Sequence, residues 1–146
     1  MKKIVIISIF LFVSIINAHA IKPSKAYNQT PKILGLKYEE IKIHTSDSAI
    51  INVWHLPSDS LSSPIIIAES DAGNMGDWLY LGLFLQAFGH DVWMFDYRGF
   101  GESSDFKIPA NQLFCNEFIT DLQSVVDYVY DKTSFSPILM GLSMGK

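Results

Sequence analysis

The sequence predicts an α/β fold in which an antiparallel first hairpin leads into a mostly parallel sheet. Three observations point there. Short continuous apolar runs recur at Ile65-Ile66-Ile67-Ala68, Val92-Trp93-Met94-Phe95 and Ile138-Leu139-Met140, the pattern of strands buried on both faces. Two helical patterns separate those runs, as parallel strands joined by crossovers require. An alternating pair of segments precedes them all. With 146 residues, 49% hydrophobic and 13% aromatic, the chain has material for one domain with a core and is neither disordered nor fibrous.

The elements follow in order. Lys2 and Lys3, the apolar run Ile4 to Ile16 and Ala18-His19-Ala20 make up the basic start, apolar core and small-residue cleavage site of a secretory signal peptide spanning 1–20. Cleavage is expected after Ala20, giving an exported product. The run is shorter than the roughly 20 residues of a spanning helix, so no stable membrane span is expected once the leader is gone. From 21 to 35 the chain is polar, carries Pro23 and Pro31 and has no apolar period, which reads as a linker to a domain at 36–146. Leu36 to His44 alternates, with Ile41 and Ile43 on one side and Lys42 and His44 on the other; Ala49 to Leu56 follows the turn residues Ser46-Asp47-Ser48, which predicts a hairpin. Buried strands are predicted at Pro64 to Ser70, Asp91 to Asp96 and Pro137 to Gly141. A helix is predicted over Gly76 to Phe88, with Trp78, Leu81, Leu85 and Phe88 as its stripe and Gly89 as its stop. A second is predicted over Asn111 to Tyr130, with Asn111 as N-cap and Phe114, Phe118, Leu122, Val125, Val126 and Val129 facing the core.

Composition narrows the chemistry. A formal net charge of -4, more negative without Lys2 and Lys3, gives nucleic acid nothing to bind. The single cysteine, Cys115, cannot close an intramolecular disulfide and reads as a small helix residue. No metal-ligand spacing, phosphate-binding glycine loop or dinucleotide fingerprint is present, so no cofactor is implied.

Ligands of such sheets bind beyond the carboxyl ends of the strands, which selects the loops after Ala68, Phe95 and Met140. The last of these reads Gly141-Leu142-Ser143-Met144-Gly145, a G-x-S-x-G sequence directly after a buried-strand pattern. There a sharp turn lifts a serine hydroxyl above the sheet, and glycines let the backbone pass closely. Ser143 is then the candidate nucleophile and the Met144 N–H a candidate oxyanion donor. The middle loop reads Asp96-Tyr97-Arg98-Gly99-Phe100-Gly101-Glu102-Ser103. Arg98 there either binds an anion or braces the loops near the nucleophile, and bracing is the expectation.

These two motifs, in this order and separation, resemble the α/β-hydrolase superfamily, and more narrowly its serine aminopeptidase, monoglyceride lipase and lysophospholipase group. The resemblance covers Ile41 to Lys146 and implies the N-terminal half of that fold, truncated after the nucleophile elbow. It implies a histidine-glycine oxyanion loop where this chain has Glu69-Ser70-Asp71-Ala72-Gly73-Asn74. Ala72-Gly73-Asn74 fits that pattern, while Glu69 and Ser70 replace the histidine and glycine. The Asp71 N–H takes the place of the second oxyanion donor.

Serine needs a base, and the base an orienting acid; in this superfamily both follow the serine. Only Met144, Gly145 and Lys146 follow Ser143. His19 leaves with the leader, His44 and His55 lie in the first hairpin and His90 in a turn, all expected as solvent-facing. The expectation is therefore an N-terminal fragment of an exported serine hydrolase acting on a small acyl-containing substrate by ester, thioester or amide hydrolysis. The alternative is a non-catalytic remnant or binding module on the same scaffold. The strand at Pro137 to Gly141 is further expected to be an exposed apolar edge that favours aggregation.

Overall fold

A computed structural model describes residues 21–59, 62–69, 71–109, 112 and 114–142. The expected signal peptide and its cleavage site, the N-cap Asn111, and Ser70, Ser143 and Met144 lie outside the described residues. In chain order the elements are β1 (Lys22–Pro23), β2 (Glu39–His44), β3 (Ile50–Leu56), β4 (Ile65–Ala68) and β5 (Ala72–Gly73). A 3-10 turn (Met75–Trp78), α1 (Leu79–Ala87), β6 (Val92–Phe95), α2 (Glu117–Thr133) and β7 (Ile138–Gly141) follow.

The main sheet has five strands in the order β2-β3-β6-β4-β7. β2 and β3 pair antiparallel, as do β3 and β6, whereas β4 runs parallel to both β6 and β7. The hairpin and the parallel run read from the sequence are therefore both present. The chain crosses from β4 to β6 through α1 and returns over β4 to β7 through α2. That reversal makes β4 the switch point, and the crevice it opens lies at the carboxyl ends of β4 and β7.

Alternation along the strands sorts side chains onto two faces. Ile51, Val53, Ile66 and Phe95 form one cluster with Phe118, Val125 and Val129 of α2. Trp54, Leu56, Ile65, Ile67, Val92 and Met94 form the other with Leu79 of α1. Both faces of β4 and β6 are covered, which is why their sequences are apolar throughout. Among the described residues no helix is long and apolar enough to cross a membrane.

Both helices depart from their predicted bounds. Asn74 caps the 3-10 turn in a reciprocal capping box with Asp77, so α1 begins only at Leu79. The delayed start rotates the buried stripe onto Leu79 and Gly82 and leaves Phe88, expected in the core, 70% exposed. Likewise α2 starts at Glu117, and Phe114 and Cys115 precede it. Phe114 is exposed yet still meets Phe118 edge to face at 6.1 Å. Cys115 is a buried free thiol outside the helix.

The largest difference concerns the stretch at 21–35. Ile21 is buried, β1 pairs with β5, and Tyr27 stacks on Trp54 at 4.8 Å. The polar, proline-containing sequence hides this because its bonds are made by backbone and by polar side chains such as Lys25 and Tyr27, with no apolar period to betray them.

Candidate active site at the carboxyl ends of the strands

The register of the parallel strands assembles the site. Ala68 pairs with Phe95 on one side and with Gly141 on the other. Glu69, Asp96 and Leu142 are the next residues of each strand and meet at one end of the sheet. The Leu142 N–H bonds the Ala68 carbonyl at 3.0 Å, so Leu142, which precedes Ser143 in the sequence, sits at the end of β4.

Glu69 and Asp96 are both fully buried. Glu69 Oε1 accepts from the Tyr97 N–H at 3.2 Å. Asp96 Oδ1 accepts from the Met75 N–H at 2.7 Å, and Asp96 Oδ2 accepts from the Tyr27 hydroxyl. Burial pushes the Asp96 carboxyl up to about 6, against hydrogen bonds from Tyr27, Met75, Glu102 and Glu69 that hold it down. Burial, then the neighbouring Asp96 charge, push Glu69 well above the usual carboxyl range. Two carboxyls this close and this dry do not both ionise near neutrality, and Glu69 is the one that keeps the proton. Gly101 closes over them at φ +42°, where an added Cβ would stand 1.9 Å from Asp96 Oδ2, so no larger residue fits.

Arg98 braces the site, as expected. Its Nε and Nη2 bond Asp121 of α2 at 2.9 and 2.6 Å, and its Nη1 and Nη2 bond Asp47 in the hairpin turn at 2.7 and 2.9 Å. The Arg98 N–H also bonds Asp121, at 3.0 Å. Two bidentate pairs leave the guanidinium no fork for an anion. Asp121, wholly buried, was missed in the sequence. Its signal was a carboxylate on the apolar stripe of α2, between Phe118 and Val125.

Of the candidate residues, Asp71 is half-buried in the loop after β4, and its carbonyl accepts from the Lys22 N–H at 2.7 Å. Ser143 and Met144 follow Leu142 but lie outside the described residues. His44, exposed on β2, is four strand spacings from β7, roughly 19 Å. His55 corrects an expectation, because it is not solvent-facing. Its ring stacks on Trp93 at 3.9 Å and its Nε2 meets Asp91 Oδ1 at 2.7 Å. Those bonds to His55 and Trp93 hold the Asp91 carboxyl below its ordinary value despite burial, which pushes it up. His55 and His90 nevertheless sit at the amino ends of β4 and β6, across the sheet from the elbow. Among the described residues no group of three histidine, cysteine or acidic side chains is placed to hold a metal ion.

A profile of the α/β-hydrolase fold matches residues 63–145. The uncharacterized protein YfhR of Salmonella typhi is 29% identical over 97% of this chain and 48% of its own length. The α/β-hydrolase domain-containing protein WAV2 of Arabidopsis thaliana is 28% identical over 84% of this chain and 40% of its own length. A Pyrococcus furiosus esterase superposes with a TM-score of 0.70 at 25% identity, covering 86% of this chain and 48% of the esterase. The chain thus spans about half the length of the curated relatives it matches. Strand order, crossovers and a profile match over more than half of its residues establish that this chain belongs to the α/β-hydrolase fold family.

Proposed function

We propose that this chain is the amino-terminal part of an exported serine hydrolase that cleaves small acyl esters. Ser143 attacks the acyl carbonyl, and the N–H groups of Met144 and Asp71 receive the oxyanion. The observation that carries the reading is the bond from Leu142 N–H to the Ala68 carbonyl, which sets Leu142, the residue before Ser143 in the sequence, at the end of β4 where the loop carrying Asp71 begins. The esterase named for the superposed Pyrococcus structure supports an ester as substrate. In this reading the triad acid and histidine come from polypeptide beyond the chain, which spans about half of its relatives.

The step balances as acyl transfer. The base takes the serine proton, Oγ bonds the carbonyl carbon, the alcohol leaves with that proton, and water releases the acid in a second, equivalent cycle. Fluorophosphonate labelling of the exported protein should be lost in Ser143→Ala and retained in Ser104→Ala. Labelling that survives Ser143→Ala would assign the nucleophile elsewhere, and no labelling in either would favour a hydrolase scaffold without the chemistry. Export is tested separately: the exported product should begin at Ile21, and one beginning at Met1 would refute cleavage.

A further inference from the structure

Residues 22–27 lie across the two loops that build the site, although the sequence shows them only as a polar lead-in. The Lys22 N–H bonds the Asp71 carbonyl and the Ser24 N–H bonds the Gly73 carbonyl, each at 2.7 Å. Asn74 Nδ2 returns two bonds, to Ser24 O at 3.2 Å and Ala26 O at 2.8 Å. The segment is tied equally to the other loop. Gly101 N–H bonds the Ser24 carbonyl at 2.9 Å, and Lys25 Nζ bonds the Ser103 carbonyl at 2.9 Å.

Tyr27 joins the two sets. Its hydroxyl donates to Asp96 Oδ2 while accepting from Asn52 Nδ2 at 3.0 Å and from the Glu102 N–H at 3.1 Å. Asp96 passes the connection to the oxyanion loop through Met75 N–H. The chain of bonds therefore runs from strap to hydroxyl to carboxylate to loop backbone. Burial and the Asp96 charge push the Tyr27 hydroxyl far above its ordinary value, so it stays a donor.

We propose that residues 22–27 are a positioning strap for the oxyanion loop, with Tyr27 as its pin and the Lys22 N–H as the group that fixes the Asp71–Ala72 peptide, next to the one carrying the Asp71 N–H. The inference rests on the hydrolase reading for its consequence, because an oxyanion donor works only when its N–H is held at the place where charge develops. A bond to the Asp71 carbonyl fixes one side of that residue's backbone and restricts the other. Tyr27 and Lys22 touch no substrate and act only through the loop.

Two variants test this in the chain as it stands. Tyr27→Phe keeps the ring on Trp54 and removes the hydroxyl's three bonds; Lys22→Pro removes one N–H at an extended position. Amide hydrogen exchange should speed up in the peptide covering 71–77 by about tenfold or more, with β3 and β6 amides unchanged. Unchanged exchange at 71–77 in both variants would overturn the strap, as would equal loss of protection in β3 and β6, which marks a general contribution to stability. In the exported protein, the maximal fluorophosphonate labelling rate should fall roughly tenfold to a hundredfold with half-saturation unchanged. Released exchange with an undiminished labelling rate would overturn positioning. A wild-type protein that does not label would fail the hydrolase reading alone, and exchange would still decide the strap.

Discussion

Two residue pairs at the crevice carry charge where the fold has no water to spare, and they respond to opposite tests. Arg98 and Asp121 form a buried ion pair, so removing one partner leaves a bare charge. Arg98→Ala should cost about 3–5 kcal/mol in urea denaturation, while Arg98→Met with Asp121→Asn, which removes both charges and keeps an acceptor for the Arg98 N–H, should recover part of the loss. A single variant as stable as wild type would show that the pair does not brace the loop. Glu69 and Asp96 work through protons. Both carboxyls are raised in the fold, Asp96 to about 6 and Glu69 well above the usual carboxyl range, burial being the first cause of each. The folded state therefore binds more protons than the unfolded chain above pH 4, and the stability they contribute is lost as pH rises through the folded values. The groups facing the pair are Tyr27 on the strap, the Met75, Tyr97 and Glu102 amides, and Asp77. None is a cation that would reverse the sign. Melting temperature should fall as pH rises from 5 to 8, and Glu69→Gln should flatten that slope and melt higher than wild type at pH 8. A wild-type melting temperature that rises over the same range would refute the shared proton.

At the scale of elements, legibility tracked whether a segment is held by side-chain pattern or by backbone. β3, β4 and β6 were readable because each buries an apolar face or two, and β7 because its run is apolar throughout. β1, β5 and Tyr27 were not, since two-residue strands and a lone hydroxyl leave no period. Arg98 could be given its bracing role from its glycine-rich loop, but its partner Asp121 became visible only once α2 was phased from Glu117. The two edges of the main sheet differ in the same terms. On β2 the exposed residues include Glu40, Lys42 and His44, whereas on β7 they are Ile138 and Leu139, each about half exposed. Charges blunt an edge and aliphatic side chains invite pairing. Expressed as these 146 residues alone, the chain should self-associate through β7, and Leu139→Lys should raise the monomer fraction in size-exclusion chromatography while Lys42→Leu lowers it. Equal behaviour of Leu139→Lys and wild type would remove β7 as the sticky edge.

Among the described residues, the sheet separates two packing clusters, one on each face. One face carries α1 and Met75, the residue whose N–H anchors the proposed oxyanion loop to Asp96; the other carries α2, with Phe118 and Val125 flanking Asp121, the anchor of Arg98. Catalytic geometry in the proposed enzyme therefore depends on two cores that are structurally distinct yet share strands. Ile67 packs on the first face and Ile51 on the second, both essentially inaccessible to solvent, with β6 between their strands. Ile67→Val and Ile51→Val each delete one buried methyl and should each cost about 0.5–1.5 kcal/mol. Because the two side chains belong to separate clusters on opposite sides of the sheet, the double variant should lose the sum of the two within about 0.5 kcal/mol. Urea denaturation with an unchanged m-value is the measurement. A coupling above about 1 kcal/mol would mean that β6 transmits strain between the faces. The oxyanion loop and the Arg98 brace would then respond to each other's packing, and substitutions on one face would have to be read for their effect on the other.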